Sequence, residues 1–165
     1  MRNTLEVHGT KLQSLEESLD AVHTYVKIQR MRFGDRVNFS YSVSNKIDQS
    51  ETLILPLLIQ PLVENAISHG LEVLTTKGFV RVTITKEKED LIITVQDNGI
   101  GIPAEKLKAL KEKIKESSST SKKSIGLQNV HHRAKMYYGE GYGLTISSVE
   151  NSGTLVVLRV KILNN

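Results

Sequence analysis

Cysteine and tryptophan are both absent from this 165-residue chain, and only 5% of its residues are aromatic. The lack of cysteine excludes a disulfide frame and a thiolate metal site, and it fits a reducing compartment. So few flat side chains argue against a surface built to stack nucleic-acid bases. No apolar run is long enough to cross a bilayer, and the first residues do not read as a secretory leader. No glycine-rich loop ends in Gly-Lys-Ser or Gly-Lys-Thr, which excludes a P-loop. His-Arg-Asp and Asp-Phe-Gly are missing, which excludes a Ser/Thr/Tyr kinase. Gly99-Ile100-Gly101 lacks the third glycine of the dinucleotide fingerprint and runs on to Pro103. There is no internal repeat.

The length suits one domain of ordinary size, and an apolar fraction of 39% supports a real core. The net charge of +4 is a mild excess, concentrated between Lys106 and Lys123. A basic patch serves nucleic acid, membrane or a phosphorylated ligand, and charge alone does not choose among them.

The chain is organised around Pro56 to Gly70. Leu55, Leu58, Leu62 and Ala66 recur at helical spacing, which predicts one amphipathic helix closed by Gly70 in a left-handed conformation. Glu64, Asn65 and His69 sit within it, and Asn65 and His69 share a face. Such groups need water or a partner. Upstream, Ser14 and Glu17 form a capping box for a helix carrying Leu12, Leu15, Leu19, Val22 and Val26 as a heptad-like stripe. That stripe either docks on this domain's own core or continues a dimer-forming bundle. Gly34-Asp35 breaks the helix.

Val37, Phe39, Tyr41 and Val43 alternate as a strand, and residues 45–50 form a turn. Val80, Val82 and Ile84 make a second strand. A charged connection, Lys86 to Asp90, leads to a third at Leu91 to Gln96, apolar enough to be central. Pro103 starts a helix with Leu107, Leu110 and Ile114 on its apolar side. Ser117 to Lys123 is expected to be mobile, and another helix opens at Gly126. Leu144–Val149 and Thr154–Ile162 close the chain around the turn Asn151-Ser152-Gly153. This order predicts a mixed sheet with helices on one face.

Three places offer chemistry. Asp97 stands beside two glycines that let backbone approach a flat ligand, although Asp-Asn-Gly is by itself a common turn. A carboxylate accepts hydrogen bonds, so an exocyclic amino group suits it. Gly126 and Leu127 begin a helix whose N–H groups can meet phosphate, with Lys122 and Lys123 adding charge; a solvated linker is the plainer reading there. Asn65 offers an amide oxygen of the kind Mg2+ takes alongside nucleotide phosphates. Glu64 suits a base or a supporting carboxylate, and His69 either a phosphate donor or a histidine at a helix C-terminus. His131-His132 lacks companions for zinc and reads as helix surface.

Taken together and in this order, the segments resemble the ATP-binding domain of bacterial sensor histidine kinases, in the GHKL superfamily shared with DNA gyrase, MutL-type repair ATPases and heat-shock chaperone ATPases. The match is to the LytS/YesM-type branch. Residues 57–70 resemble its N-box, Asp97-Asn98-Gly99-Ile100-Gly101-Ile102 its first glycine box, and Gly126-Leu127-Gln128-Asn129-Val130 with Arg133 its second. Gly153-Thr154 sits before the last strand as in the family, and Glu16 to Phe33 resembles the helix ahead of its ATPase domain.

The resemblance implies an α+β fold, a two-layer sandwich of the Bergerat ATP-binding type. Residues 34–165 would be the ATPase domain, and residues 1–33 a segment and helix leading from a phosphoacceptor region. Asn65 would hold Mg2+, and Asp97 would bind the adenine amino group of ATP with Thr154 assisting through water. Gly99, Gly101 and Ile102 would shape the base pocket. Gly126, Leu127 and Lys123 would meet the phosphates at the hinge of a lid over 104–125, with Glu64 and His69 nearby. Catalysis would be positioning and charge neutralisation of a transferring phosphoryl group.

Pro61 stands where gyrase-like ATPases carry a water-activating glutamate, and Ser68 where the family has lysine. The Pro-His-Phe acceptor box is absent, and His8 and His23 lack its context. The implied molecule is a catalytic fragment of a two-component sensor kinase. Its implied partners are the acceptor-histidine helix of the same parent and a response regulator, with no nucleic acid. The parent would be a homodimer anchored in the bacterial membrane by segments not in this sequence, with this domain cytoplasmic. A serine kinase of the anti-sigma-factor type, or a degenerate nucleotide sensor, uses the same fold and is the alternative.

Overall fold

A computed structural model describes residues 6–7, 10–71, 76–116 and 125–164. Its centre is a five-stranded sheet in the order β4 (Val37–Val43), β6 (Gly78–Glu87), β7 (Asp90–Asp97), β9 (Gly153–Lys161), β8 (Gly143–Val149). β4 runs parallel to β6, and every other pairing is antiparallel. Side chains on a strand alternate between faces. Val80, Val82 and Ile84 of β6 therefore share one face with Leu91, Ile93 and Val95 of β7 and with Val156, Leu158 and Val160 of β9, and all are buried. Arg81, Gln96 and Arg159 point the other way and are exposed. The apolar face is covered by α1 (Leu15–Phe33), α2 (Gln60–Asn65) and α4 (Ile125–Tyr138), with α3 (Ala104–Lys115) packed beside α4 and β8. This is the mixed, two-layer architecture expected, with β7 at its centre.

The capping box forms as read. Glu17 N–H donates to Ser14 Oγ, and Ser14 N–H donates to Glu17 Oε2, each at 3.1 Å. Gly34 closes α1 at φ 61°. Leu12, Leu15, Leu19, Val22 and Val26 are all buried in the main core, so this stripe docks on its own domain rather than waiting for a second copy.

The organising helix differs from the expectation. Residues 56–59 form a turn in which Leu57 takes φ 57°, and helix begins only at Gln60, with Pro61 in its first turn. Arg133 of α4 secures that turn by donating to the Pro56 and Leu57 carbonyls at 2.8 and 3.2 Å. Leu55 and Leu58 are buried, but from the turn and not from a helix. Past Asn65 the helix widens into a π-helix over Ala66–Leu71, a rare form concentrated at functional sites. Gly70 therefore does not end the helix, and it does not adopt positive φ. Its lack of a side chain serves a close approach described below.

Short strands escaped the sequence reading. β5 (Thr52–Ile54) is the middle of a second antiparallel sheet, between β3 (Gln13–Ser14) and β10 (Leu163–Asn164). All of β5 is buried, so it shows no alternation. A further pair, β1 (Glu6–Val7) and β2 (Thr10–Lys11), is too short to carry a period. His131 is not plain helix surface either. It is half-buried, and its Nδ1 accepts from Leu144 N–H at 3.0 Å. His132 Nε2 meets the Glu116 carbonyl at 2.7 Å, where Gln128 also donates, so α4 side chains cover the end of α3. The segment expected to be mobile, 117–123, falls outside the described residues.

Candidate functional site

Asp97 is the last inward-facing residue of β7, following Leu91, Ile93 and Val95. Thr154 is its partner in register on β9, so carboxylate and hydroxyl stand side by side at one end of the apolar face. Asp97 is 5% exposed. Its Oδ1 accepts from Gly99 N–H at 2.8 Å. Burial pushes its carboxyl above the ordinary range, and the N–H groups of Gly99 and Thr154 partly counter that.

The loop after β7 is pressed against the π-helix. A Cβ on Gly99 would collide with the Gly70 carbonyl, and one on Gly70 would lie 2.8 Å from Asp97 Oδ1. The two glycines are thus a matched pair that lets main chain approach the carboxylate. Ile100 N–H donates to the Gly70 carbonyl at 3.0 Å and fixes the approach. Gly101 takes φ 66° and lies against the Val149 carbonyl, where a side chain would clash. Asn98 Oδ1 accepts from Phe79 N–H at 2.7 Å, tying the loop to β6.

Between the π-helix, this loop and the start of α4 lies a cavity of about 600 Å³, within the usual range for small-molecule sites. Asp97, Thr154, Gly101 and Ile102 line it from the sheet side; Glu64, Asn65 and His69 from the helix; Gly126 and Leu127 from the start of α4. Gly99 stands behind the wall, packed on Gly70. Lys123 lies outside the described residues. Pro61 and Ser68, noted above as departures from the family, and Lys106 and Leu110 of α3 also line the cavity. Glu64 Oε1 accepts from Gln60 Nε2 at 2.8 Å. A neighbouring groove of about 640 Å³, between α3 and the end of β8, is lined by Lys108, Lys111 and Lys115 and holds none of Asn65, Asp97 or Gly126.

Sequence reasoning missed Ser148. It faces inward on β8 beside Thr154, and its hydroxyl holds Ile102 N–H at 2.9 Å. A serine in a strand gives no local signal. Only its register with Thr154, one strand away, marks it.

The donor set suits a hard cation shared with a ligand. Among the described residues no group of three or more His, Cys, Asp or Glu could hold a metal alone. The Asn65 amide oxygen, with Glu64 beside it, fits Mg2+, which keeps waters and binds one or two protein oxygens with phosphates.

Residues 51–164 match the family described as histidine kinase-, DNA gyrase B-, and HSP90-like ATPase. The chain belongs to that ATPase family. Among its relatives is the sensor histidine kinase YesM of Bacillus subtilis, 34% identical over 164 residues, covering 99% of this chain and 26% of that protein. The sensor protein LytS of Oceanobacillus iheyensis is 32% identical over 156 residues, covering 94% of this chain and 26% of the relative. The chain thus spans about a quarter of the length of these relatives. The catalytic domain of the histidine kinase ThkA superposes with a TM-score of 0.64 at 17% identity, covering 93% of this chain and 97% of that one. The mycobacterial sensor histidine kinase MprB gives 0.62 at 15%, covering 94% and 99%. At such identity these neighbours speak for the fold alone. Within the ATPase family, the cavity lies among the segments that resemble its N-box and glycine boxes.

Proposed function

We propose that this chain is the ATP-binding catalytic domain of a sensor histidine kinase, working on a histidine of the same parent protein that lies on a separate helix. Residues 34–165 form the ATPase domain in this reading, and residues 1–33 lead from the acceptor region. The observation that carries it is one cavity with two chemically different ends. At one end a buried carboxylate sits among glycines, suited to the amino group of adenine. Asn65 lines the same cavity together with Gly126 and Leu127 in the first turn of α4, a set suited to a metal-bound triphosphate.

Asn65, with Glu64 adjacent, would hold Mg2+, which supplies charge neutralisation of the phosphates. The main chain at Gly126 and Leu127 orients the phosphates, and His69 lies within the same cavity wall. Pro61 offers no group to activate water, so hydrolysis by the gyrase-like route is expected to be slow and transfer to an imidazole to dominate. A response regulator as final acceptor, a homodimeric parent, and a cytoplasmic position beneath a membrane anchor belong to the same proposal, as what the resemblance to the LytS/YesM-type branch implies.

The test is titration with a fluorescent ATP analogue in Mg2+, followed by transfer of labelled phosphate to a supplied acceptor helix. Binding should weaken in Asp97→Asn and in Gly126→Ala. The latter site is exposed, with nothing within 4 Å of an added Cβ, so that variant should fold. The product should be acid-labile phosphohistidine. Unchanged affinity in both variants would count against the site, and acid-stable phosphoserine against the kinase class.

A further inference from the structure

The hydroxyl of Ser148 has three polar neighbours. Ile102 N–H, the Gly153 carbonyl and Thr154 Oγ1 each lie 2.9 Å away. An amide N–H only donates and a carbonyl only accepts, whereas a serine oxygen carries one proton and two lone pairs. One arrangement satisfies every contact. Ser148 donates to the Gly153 carbonyl and accepts from both Ile102 N–H and the Thr154 hydroxyl. If Ser148 instead donated to Thr154, its lone pairs would face the carbonyl of Gly153 at hydrogen-bond distance with no proton between them.

The consequence falls on the cavity. Thr154 lines it beside Asp97, and with its proton committed to Ser148, Thr154 offers a ligand lone pairs alone. Ionised Asp97 likewise only accepts. We propose that Ser148 is a positioning residue that holds Thr154 as an acceptor, so that this end of the site admits a purine with an amino group at position 6 and rejects one with a carbonyl there. A 6-oxo purine would set its oxygen against groups that have no proton to give, and such an unpaired contact discriminates strongly. Freed from Ser148, the Thr154 hydroxyl can rotate and donate. Ser148 also fixes the Ile102 main chain on the same wall, so its effect reaches the pocket through both neighbours while its own side chain stays outside.

This rests on the nucleotide-binding reading, and the experiment separates the two. ATP and inosine triphosphate are competed against a fluorescent ATP analogue on the purified protein with Mg2+, and thermal stability is recorded for each variant. Wild type should prefer ATP. Ser148→Ala should narrow the ATP-to-ITP preference about tenfold, and Ser148→Thr, which keeps the hydroxyl, should retain it. A wild-type ratio in Ser148→Ala, or equal loss of both nucleotides with a lowered melting point, would overturn the proposal and leave Ser148 a purely structural residue. Should Ser148→Ala fold poorly, Thr154→Val asks the same question, because it removes the lone pairs that oppose a 6-oxo group; an unaltered preference there overturns the proposal as well. If wild type binds no adenine nucleotide, the functional reading falls first and takes this inference with it.

Discussion

Replacing Asp97 with asparagine separates what the carboxylate does for the fold from what it does for a ligand. The substitution keeps shape and keeps an oxygen to accept from Gly99 N–H, now 2.8 Å from Oδ1. What it removes is a charge on a group 5% exposed. Burial raises the folded-state pKa above the unfolded value of 3.8. A raised pKa means that the contribution of this group is fully present below that unfolded value and is lost as pH rises through the folded value. At neutral pH the ionised carboxylate therefore lowers the stability of the ligand-free protein. Asp97→Asn should melt at or above the wild-type temperature at pH 7, and the advantage should vanish in acid. Ligand binding should move the opposite way. A hydrogen bond to a charged acceptor contributes about 1.5–3 kcal/mol, and the asparagine NH2 would in addition face a donor. The loss corresponds to roughly 10- to 100-fold in Kd for an ATP analogue. Differential scanning fluorimetry and fluorescence titration read the two effects. A Kd within twofold of wild type, or a melting point several degrees lower, would refute the reasoning, because either result would make the carboxylate a structural group.

Gly99→Ala should lower the melting point and abolish analogue binding, since the new methyl meets the Gly70 carbonyl and not a side chain that can swing away; circular dichroism with the same titration checks it. Arg133→Ala should cost about 1–3 kcal/mol in urea unfolding, because the Pro56 and Leu57 carbonyls lose their donor and Leu57 loses what holds it at φ 57°. His131 must be neutral at Nδ1 to accept from Leu144 N–H, and burial, then the Lys135 charge, depress its pKa below 6.5. Its contribution is present above pH 6.5 and is lost as pH falls through the depressed value; His131→Asn, whose oxygen can take the same N–H, should flatten that part of the stability profile.

The parts of the fold legible in the sequence are those whose cause is local. Ser14 and Glu17 are three residues apart and cap the helix that follows. Val80, Val82 and Ile84, like Leu91, Ile93 and Val95, declare a buried face by alternation. Thr52–Ile54 does not alternate, being buried throughout, and two-residue strands carry no period at all. The start of α2 was misplaced because Leu55 and Leu58 are spaced like helix residues. The turn there is imposed by Arg133, far along the chain. Gly70 looked like a helix stop, yet its meaning depends on Gly99 and Asp97. The residues expected in the site were read from four short patterns in order, because each pattern is contiguous, and all of them but Gly99 and Lys123 line the one cavity. Ser148 was not among them, since its role exists only between strands.

The raised pKa of Asp97 and the matched glycines have a common physical consequence for how this domain responds to ligand. A carboxylate held at the end of an apolar strand face is a cost in the empty protein, and the cavity gives a ligand the means to offset it by donating a hydrogen bond. Ligand that binds only the folded state stabilises it by about 2.7 kcal/mol at one hundred times Kd. At equal ATP concentration the wild type, with its lower Kd, should gain more in melting temperature than Asp97→Asn, although it starts no higher. The two melting curves should therefore converge or cross as ATP is added. Parallel shifts would mean that the ligand does not meet Asp97, whatever else it touches. The gain should also need Mg2+ if Asn65 shares the cation with phosphate, whereas adenosine, which carries no phosphate, should stabilise the fold equally with and without it.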